Sequence, residues 1–152
     1  MQQESRGKTL YETASPGETR ALGQRFGLAA RPGQVFALSG NLGAGKTVFA
    51  QGFAEGLGIG VPVTSPTFTL LQLYPGGRLP FCHMDAYRLE DEGELEAVGG
   101  HEYLGGEGVC LVEWPEMVEA LLPEDTVWIR LERLPEKGPD IRRISVEEGR
   151  AV

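Results

Sequence analysis

The 152 residues carry 14 Lys and Arg against 22 Asp and Glu, a formal net charge of −8. That balance argues against a surface that grips nucleic acid directly, because neutralising phosphates requires clustered cations. Hydrophobic residues at 41% and charged residues at 24% are ordinary for a globular protein, and no apolar run approaches the roughly 18 residues of a membrane span. The expectation is one domain, residues 1–152, with an ordered core over about residues 8–147. The opening MQQESRGK lacks the apolar segment of a secretory signal, and Cys82 and Cys110 sit in apolar runs without metal-ligand spacing. Buried thiols in a reducing cytoplasm are expected.

In chain order, KTLYETA (residues 8–14) reads as an edge strand. Ser15, Pro16 and Glu18 then form a capping box with proline at the first helical position, so a helix is expected over residues 16–28, ended by the ARPG turn. QVFALSG is a short continuous apolar run of the kind buried on both faces of a sheet. A glycine-rich loop opens the next helix, KTVFAQGFAEGLG, with Gly56 and Gly58 as its stop signals. TFTLLQLY and RLPFCHMD, separated by a PGG turn, read as a hairpin with a slightly long loop. EDEGELEAVGG suggests one short helix with acids in its first turn. VCLVE is another buried strand, PEMVEALL a short helix begun by Pro115, and TVWIRLERL with IRRISVEE a last antiparallel pair. This order predicts an α/β, three-layer P-loop NTPase-like domain with a mixed, mainly parallel central sheet and a β-rich second half.

The strongest motif is Gly40-Asn41-Leu42-Gly43-Ala44-Gly45-Lys46-Thr47, which fits G-x-x-x-x-G-K-[ST] between a strand and a helix. Glycines let successive N–H groups turn inward to cradle phosphates at the positive end of the helix. Lys46 would reach the β- and γ-phosphates and the Thr47 hydroxyl would ligate Mg²⁺. No N-K-x-D or T-K-x-D segment is present to read guanine, so ATP is the expected nucleotide.

Such a site needs an acid at a neighbouring strand tip. Asp85 ends LPFCHMD and Glu113 ends VCLVE, and spacing alone does not rank them. Thr64-Ser65-Pro66-Thr67-Phe68-Thr69 could act as a γ-phosphate-sensing switch or be plain strand-edge residues. Tyr87 and Arg88 follow Asp85; Arg88 offers either phosphoryl stabilisation or a surface ion pair with Glu90 or Asp91. Trp114 is a core anchor or a stacking surface, and His83 and His101, without ligand spacing, are read as structural.

LSGNLGAGKT, TSPTFTL, HMDAYRL and VEWPE, in this order and at these intervals, resemble the bacterial TsaE (YjeE) family over about residues 9–144. The resemblance implies a small P-loop ATPase that works with TsaB and TsaD. In that pathway TsaD transfers a threonylcarbamoyl group onto an adenosine beside the tRNA anticodon, and tRNA is met mainly through the partners. It further implies ATP/ADP held by residues 40–47, Mg²⁺ held by Thr47 and Glu113, and Asp85 and Lys46 as the catalytic pair. Nucleotide contacts from the N-terminal segment would come from near Pro16. The position after the first loop glycine, usually Asp in the family, is here Asn41, which removes a charge near the phosphates. Two other readings accompany this one: a small-molecule kinase on the same scaffold, and a nucleotide-sensing module with incidental ATPase activity.

Overall fold

A computed structural model describes residues 2–5, 7–41, 43–63, 71–87, 92–97, 100–104 and 106–149. Leu42, the hydroxyl-rich segment 64–69, Arg88, Glu90 and Asp91 lie outside the described residues, as does the side chain of His101.

The first strands are β1 (Gln2–Ser5) and β2 (Lys8–Thr13), followed by helix α1 (Pro16–Ala29), β3 (Val35–Ser39) and helix α2 (Lys46–Gly56). Next come β4 (Leu71–Tyr74), β5 (Phe81–Asp85), α3 (Glu92–Ala97), α4 (Gly100–Tyr103) and β6 (Val109–Glu113). A 3₁₀ segment, Pro115–Leu121, leads to β7 (Val127–Arg133) and β8 (Arg142–Glu148). All eight strands form one sheet in the order β1-β2-β8-β7-β3-β6-β5-β4. Its centre, β7-β3-β6-β5, is parallel, and the pairs on either flank are antiparallel. β3, β6 and β5 lie within the sheet as their burial requires: four of five residues in β3 and in β5 and all five in β6 are buried, as in strands covered on both faces.

Helices α1 and α2 cover one face, over a core that includes Phe36, Leu38, Phe49, Phe53, Leu111, Ile129 and Ile144. The other face packs Val35, Met84, Cys110, Val112 and Val118 beneath Tyr103, Leu104, Leu121 and Leu122, so the 3₁₀ segment and α4 complete the third layer. The architecture is therefore the expected α/β sandwich with a mixed sheet. The Ser15 cap also holds: Glu18 N–H donates to Ser15 Oγ at 3.1 Å, while the Glu18 carboxylate accepts from Ala14 N–H at 2.8 Å.

Two local expectations are corrected. KTLYET is not an edge, because β1 pairs outside it through the register Ser5↔Lys8 to Gln2↔Tyr11. The acidic segment holds the one short helix expected, α3, and a further short helix, α4, begins at its last residue. Gly56 does not stop its helix from outside; it is the last helical residue and lies in the α1–α2 contact, and the positive φ of +80° falls on Gly58.

Candidate active site

The carboxyl ends of the parallel strands gather the chemistry. Leu38 of β3 is in register with Glu113 of β6, and Glu113 is in register with Asp85 of β5. The two acids left unranked by the sequence thus stand side by side, one residue before the level at which β3 releases the chain into the 40–47 loop. Alternation along β5 puts His83 and Asp85 on one face, and alternation along β6 puts Leu111 and Glu113 on that same face, toward α2.

Glu113 is 4% exposed, so its charge needs a partner. His83, 1% exposed, supplies it: Nε2 lies 2.6 Å from Glu113 Oε2. With Glu113 ionised, Nε2–H donates and fixes one carboxylate oxygen. The ring is held by stacking on Phe81, centroids 5.9 Å apart at 15°. Its Nδ1 has no hydrogen-bond partner among the described residues. His83, read from the sequence as structural, is buried as expected, and its bond to Glu113 is the contact that the sequence reading did not name. The available signal was the H-x-D alternation, which gives His83 and Asp85 a common face. Replacing His83 by Phe keeps the stacking volume but strands the Glu113 carboxylate. The expected cost is roughly 1–3 kcal/mol of stability, seen as a lowered urea midpoint at unchanged m-value.

Asp85 is half-buried and accepts from Tyr87 N–H at 2.9 Å, so its carboxylate also shapes the turn that follows β5. Ala86 N–H donates to the Glu113 carbonyl at 3.0 Å, which ties this turn to the tip of β6.

Beyond Glu113 the chain turns sharply. Trp114 has φ 56° and ψ 50°, the one positive φ at a non-glycine residue among those described, and Pro115 follows with its own fixed φ. The turn brings the indole over the loop lysine: Lys46 Nζ sits 3.9 Å from the Trp114 ring centroid, and the exposed Tyr87 ring packs against the indole with centroids 4.8 Å apart. Lys46 is itself buried, 7% exposed. Burial pulls its pKa below the ordinary lysine value, and the negative charges of Glu113, Asp85 and Glu116 act in the opposite direction.

The loop has the backbone that its glycines allow. Gly40, Gly43 and Gly45 adopt φ of +150°, +80° and +102°. A Cβ at Gly40 would stand 2.7 Å from the Leu131 carbonyl oxygen, so a side chain there is excluded by β7. Gly45 is the N-cap of α2 and gives no side-chain cap, leaving the first N–H groups of the helix open to an incoming acceptor. Asn41 and Thr47 are exposed, whereas Ala44 is buried and donates its N–H to the Asn41 carbonyl at 3.0 Å. Pro16 opens the first turn of α1, and the Thr19 methyl of that turn reaches within 3.7 Å of a Cβ position at Gly45. The described geometry thus sets Asp85 beside Glu113 with Lys46 close by, and the turn that Pro16 opens against Gly45 through Thr19, Leu42 lying outside the described residues. An open cleft of about 980 Å³ adjoins Gly40, Asn41, Ala44 and Trp114 on the side away from α2. Its lining includes none of Lys46, Thr47, Asp85 or Glu113, so it is a neighbour of this cluster and not its floor.

Known proteins share this sequence and fold over most of the chain. A family model described as threonylcarbamoyl adenosine biosynthesis protein TsaE matches residues 13–143. A Bacillus subtilis protein named tRNA threonylcarbamoyladenosine biosynthesis protein TsaE is 48% identical over 135 residues, covering 89% of this chain and 82% of that one. A protein of the same name from Treponema pallidum is 45% identical over 82% of this chain and 91% of its own length. The crystal structure of Bacillus subtilis YdiB superposes with a TM-score of 0.77 at 39% identity, covering 99% of this chain and 88% of that one.

Proposed function

Since the chain belongs to the TsaE family, we propose that it is an Mg²⁺-dependent ATPase serving tRNA threonylcarbamoyladenosine biosynthesis. The observation that carries the chemical part is the register that sets Asp85 and Glu113 side by side at the strand ends next to Lys46 and the uncapped start of α2.

The residues fit a nucleotide. Three glycines with positive φ leave room for backbone N–H groups to converge, and the open start of α2 adds a partial positive charge for phosphate. Lys46, parked on Trp114, is within its own side-chain reach of that helix start. They also fit magnesium in particular. Among the described residues no cluster of three or more His, Cys, Asp or Glu could hold a metal alone. Mg²⁺ is commonly bound through one or two carboxylates, with phosphate and water oxygens filling the shell. In this reading Thr47 and Glu113 are its protein ligands, and the bound ion neutralises charge on the phosphates. His83 leaves one Glu113 oxygen free for that ligation by engaging the other. Asp85, one strand further out, orients the attacking water. ATP and ADP would both occupy residues 40–47, with Pro16 and its turn alongside.

TsaB and TsaD are the proposed partners, with tRNA reached through them and the cytoplasm as the setting. The charge of −8 is compatible with docking on proteins and poorly suited to gripping tRNA unaided. Among the described residues no helix is long and apolar enough to cross a membrane. Phosphate release should be slow for the isolated chain and several-fold faster with both partners; an unchanged rate in a coupled phosphate assay would remove the coupling. Reconstituted multi-turnover tRNA modification should stall when this chain is omitted, and its continuation would refute the pathway role.

A further inference from the structure

The guanidinium of Arg142, at the first position of β8, is spent on backbone carbonyls. Its Nε donates to Ala44 O at 3.1 Å and its Nη2 to Gly43 O at 3.1 Å, while Nη1 donates to Pro139 O and Ile141 O at 2.9 and 3.1 Å. Two of these acceptors belong to the glycine-rich loop, nearly a hundred residues earlier in the chain. The other two belong to the turn that leads into β8. One planar cation therefore pins the 43–44 peptides to the end of the sheet.

Carbonyl and N–H of a trans peptide point in opposite directions. A carbonyl drawn toward Arg142 accordingly turns the N–H of the same plane away from it. For the Gly43–Ala44 plane that N–H is Ala44's, and it is spent on Asn41 O at 3.0 Å, closing the loop's inner turn. For the Ala44–Gly45 plane it is Gly45's, at the cap of α2, turned away from Arg142. A cation on the carbonyl end also polarises the plane, making its N–H a stronger donor. Gly45 is enclosed on this outer side: a Cβ there would meet Leu131 Cδ2 at 3.5 Å, Thr19 Cγ2 at 3.7 Å and Arg142 Nε at 3.9 Å. The register Arg133↔Arg142 and Thr13↔Arg142 fixes the arginine between two strands, and Thr13 is tied in turn to Thr19 by a buried 2.7 Å hydroxyl contact.

We infer that Arg142 is a positioning residue that presets the phosphate loop, holding its carbonyls outward so that the Gly45 N–H meets a nucleoside polyphosphate without rearrangement while the Ala44 N–H keeps the inner turn closed. The inference rests on the nucleotide reading of residues 40–47. Because the clasp acts on the loop common to both nucleotides, its loss weakens ATP and ADP binding equally and leaves the γ-phosphate chemistry of Asp85 and Glu113 in place.

The test is calorimetric titration of Mg·ATP and Mg·ADP into the wild-type chain, Arg142→Lys and Arg142→Gln, with thermal unfolding of each nucleotide-free protein and steady-state phosphate release. Lysine keeps the charge and the stem but lacks the two-pronged fork. Both variants are expected to bind ATP and ADP about tenfold more weakly by matching factors, the scale of a lost charge-assisted pair. KM should rise while kcat changes by less than about threefold, and millimolar methylguanidinium should recover part of the affinity of Arg142→Gln. Affinity within twofold of wild type in Arg142→Lys overturns the inference, whatever the other variant does. So does a loss that falls on ATP alone or on kcat alone. Should Arg142→Gln fail to fold, Arg142→Lys decides the matter. Failure of the wild-type chain to bind either nucleotide would be distinguishable, because it removes the nucleotide reading before any variant is compared.

Discussion

Glu113→Gln is expected to raise the Mg²⁺ concentration needed for half-maximal ATPase activity by about 10- to 100-fold, the range seen when a metal site loses a supporting group. Asp85→Asn is expected to leave that requirement nearly unchanged and to lower kcat by about 100-fold, the usual cost of removing a group that positions or accepts a proton. The substitutions are chosen from the contacts. Glu113 is buried against His83, so truncation to Ala would leave the imidazole unpaired and mix folding with chemistry. Gln preserves an acceptor for Nε2–H and removes only the charge. Asp85 accepts from Tyr87 N–H, and Asn can still do so through its carbonyl oxygen. Magnesium titrations of phosphate release, with direct Mg·ADP binding alongside, separate the two effects. If Asp85→Asn alone shifts the magnesium requirement, the two roles are exchanged. If neither shifts it, the metal is held by residues other than Glu113.

That experiment addresses the point at which sequence reading stops. The glycine pattern and the apolar runs before and after it were legible because each is local: a strand, a loop and a helix start in consecutive residues. Asp85 and Glu113 were visible as strand ends, but their adjacency depends on β5 and β6 pairing in parallel register, which lies in neither segment alone. The bond of His83 to Glu113 escaped for the same reason, since the partner is 30 residues away and His83 had no ligand spacing of its own. Arg142 could not be found by motif, because what it recognises is main chain, and any sequence presents carbonyls. The KTLYET segment looked like an edge because its alternation is that of a half-covered strand, and the polar residues 2–5 outside it gave no apolar signal of a further strand. Gly56 was read as punctuation for a related reason. The purpose it shares with Gly23, Gly27 and Gly52 shows only when the two helices are placed side by side.

Gly52→Ala is expected to destabilise the protein by about 3 kcal/mol or more, near or above the upper end of ordinary overpacking. Within a helix the same change normally gains up to roughly 1 kcal/mol in propensity, so the sign is decided by the contact. A Cβ at Gly52 would strike the Arg20 carbonyl oxygen, and equivalent collisions await at Gly56 with Gln24 O, at Gly23 with Phe49 O and at Gly27 with Phe53 O. All four obstacles are backbone, which has no rotamer to yield, so relief requires the helices to part. Arg20 and Glu55 span this seam with a two-pronged ion pair, 2.7 and 2.9 Å, but both are exposed and solvent screens their attraction, so the pair does not hold the helices together against such a collision. The control is Gly17→Ala in the first turn of α1, where the new methyl meets only Ser15 Oγ at 3.8 Å. It should leave stability unchanged or raise it slightly. Urea denaturation of both variants tests the argument, and a Gly52→Ala protein as stable as its Gly17→Ala counterpart would mean that the helices separate freely. The consequence extends to the active site. The seam holds the Thr19 turn against Gly45, so folded Gly52→Ala should also bind nucleotide more weakly, whereas Gly17→Ala should not.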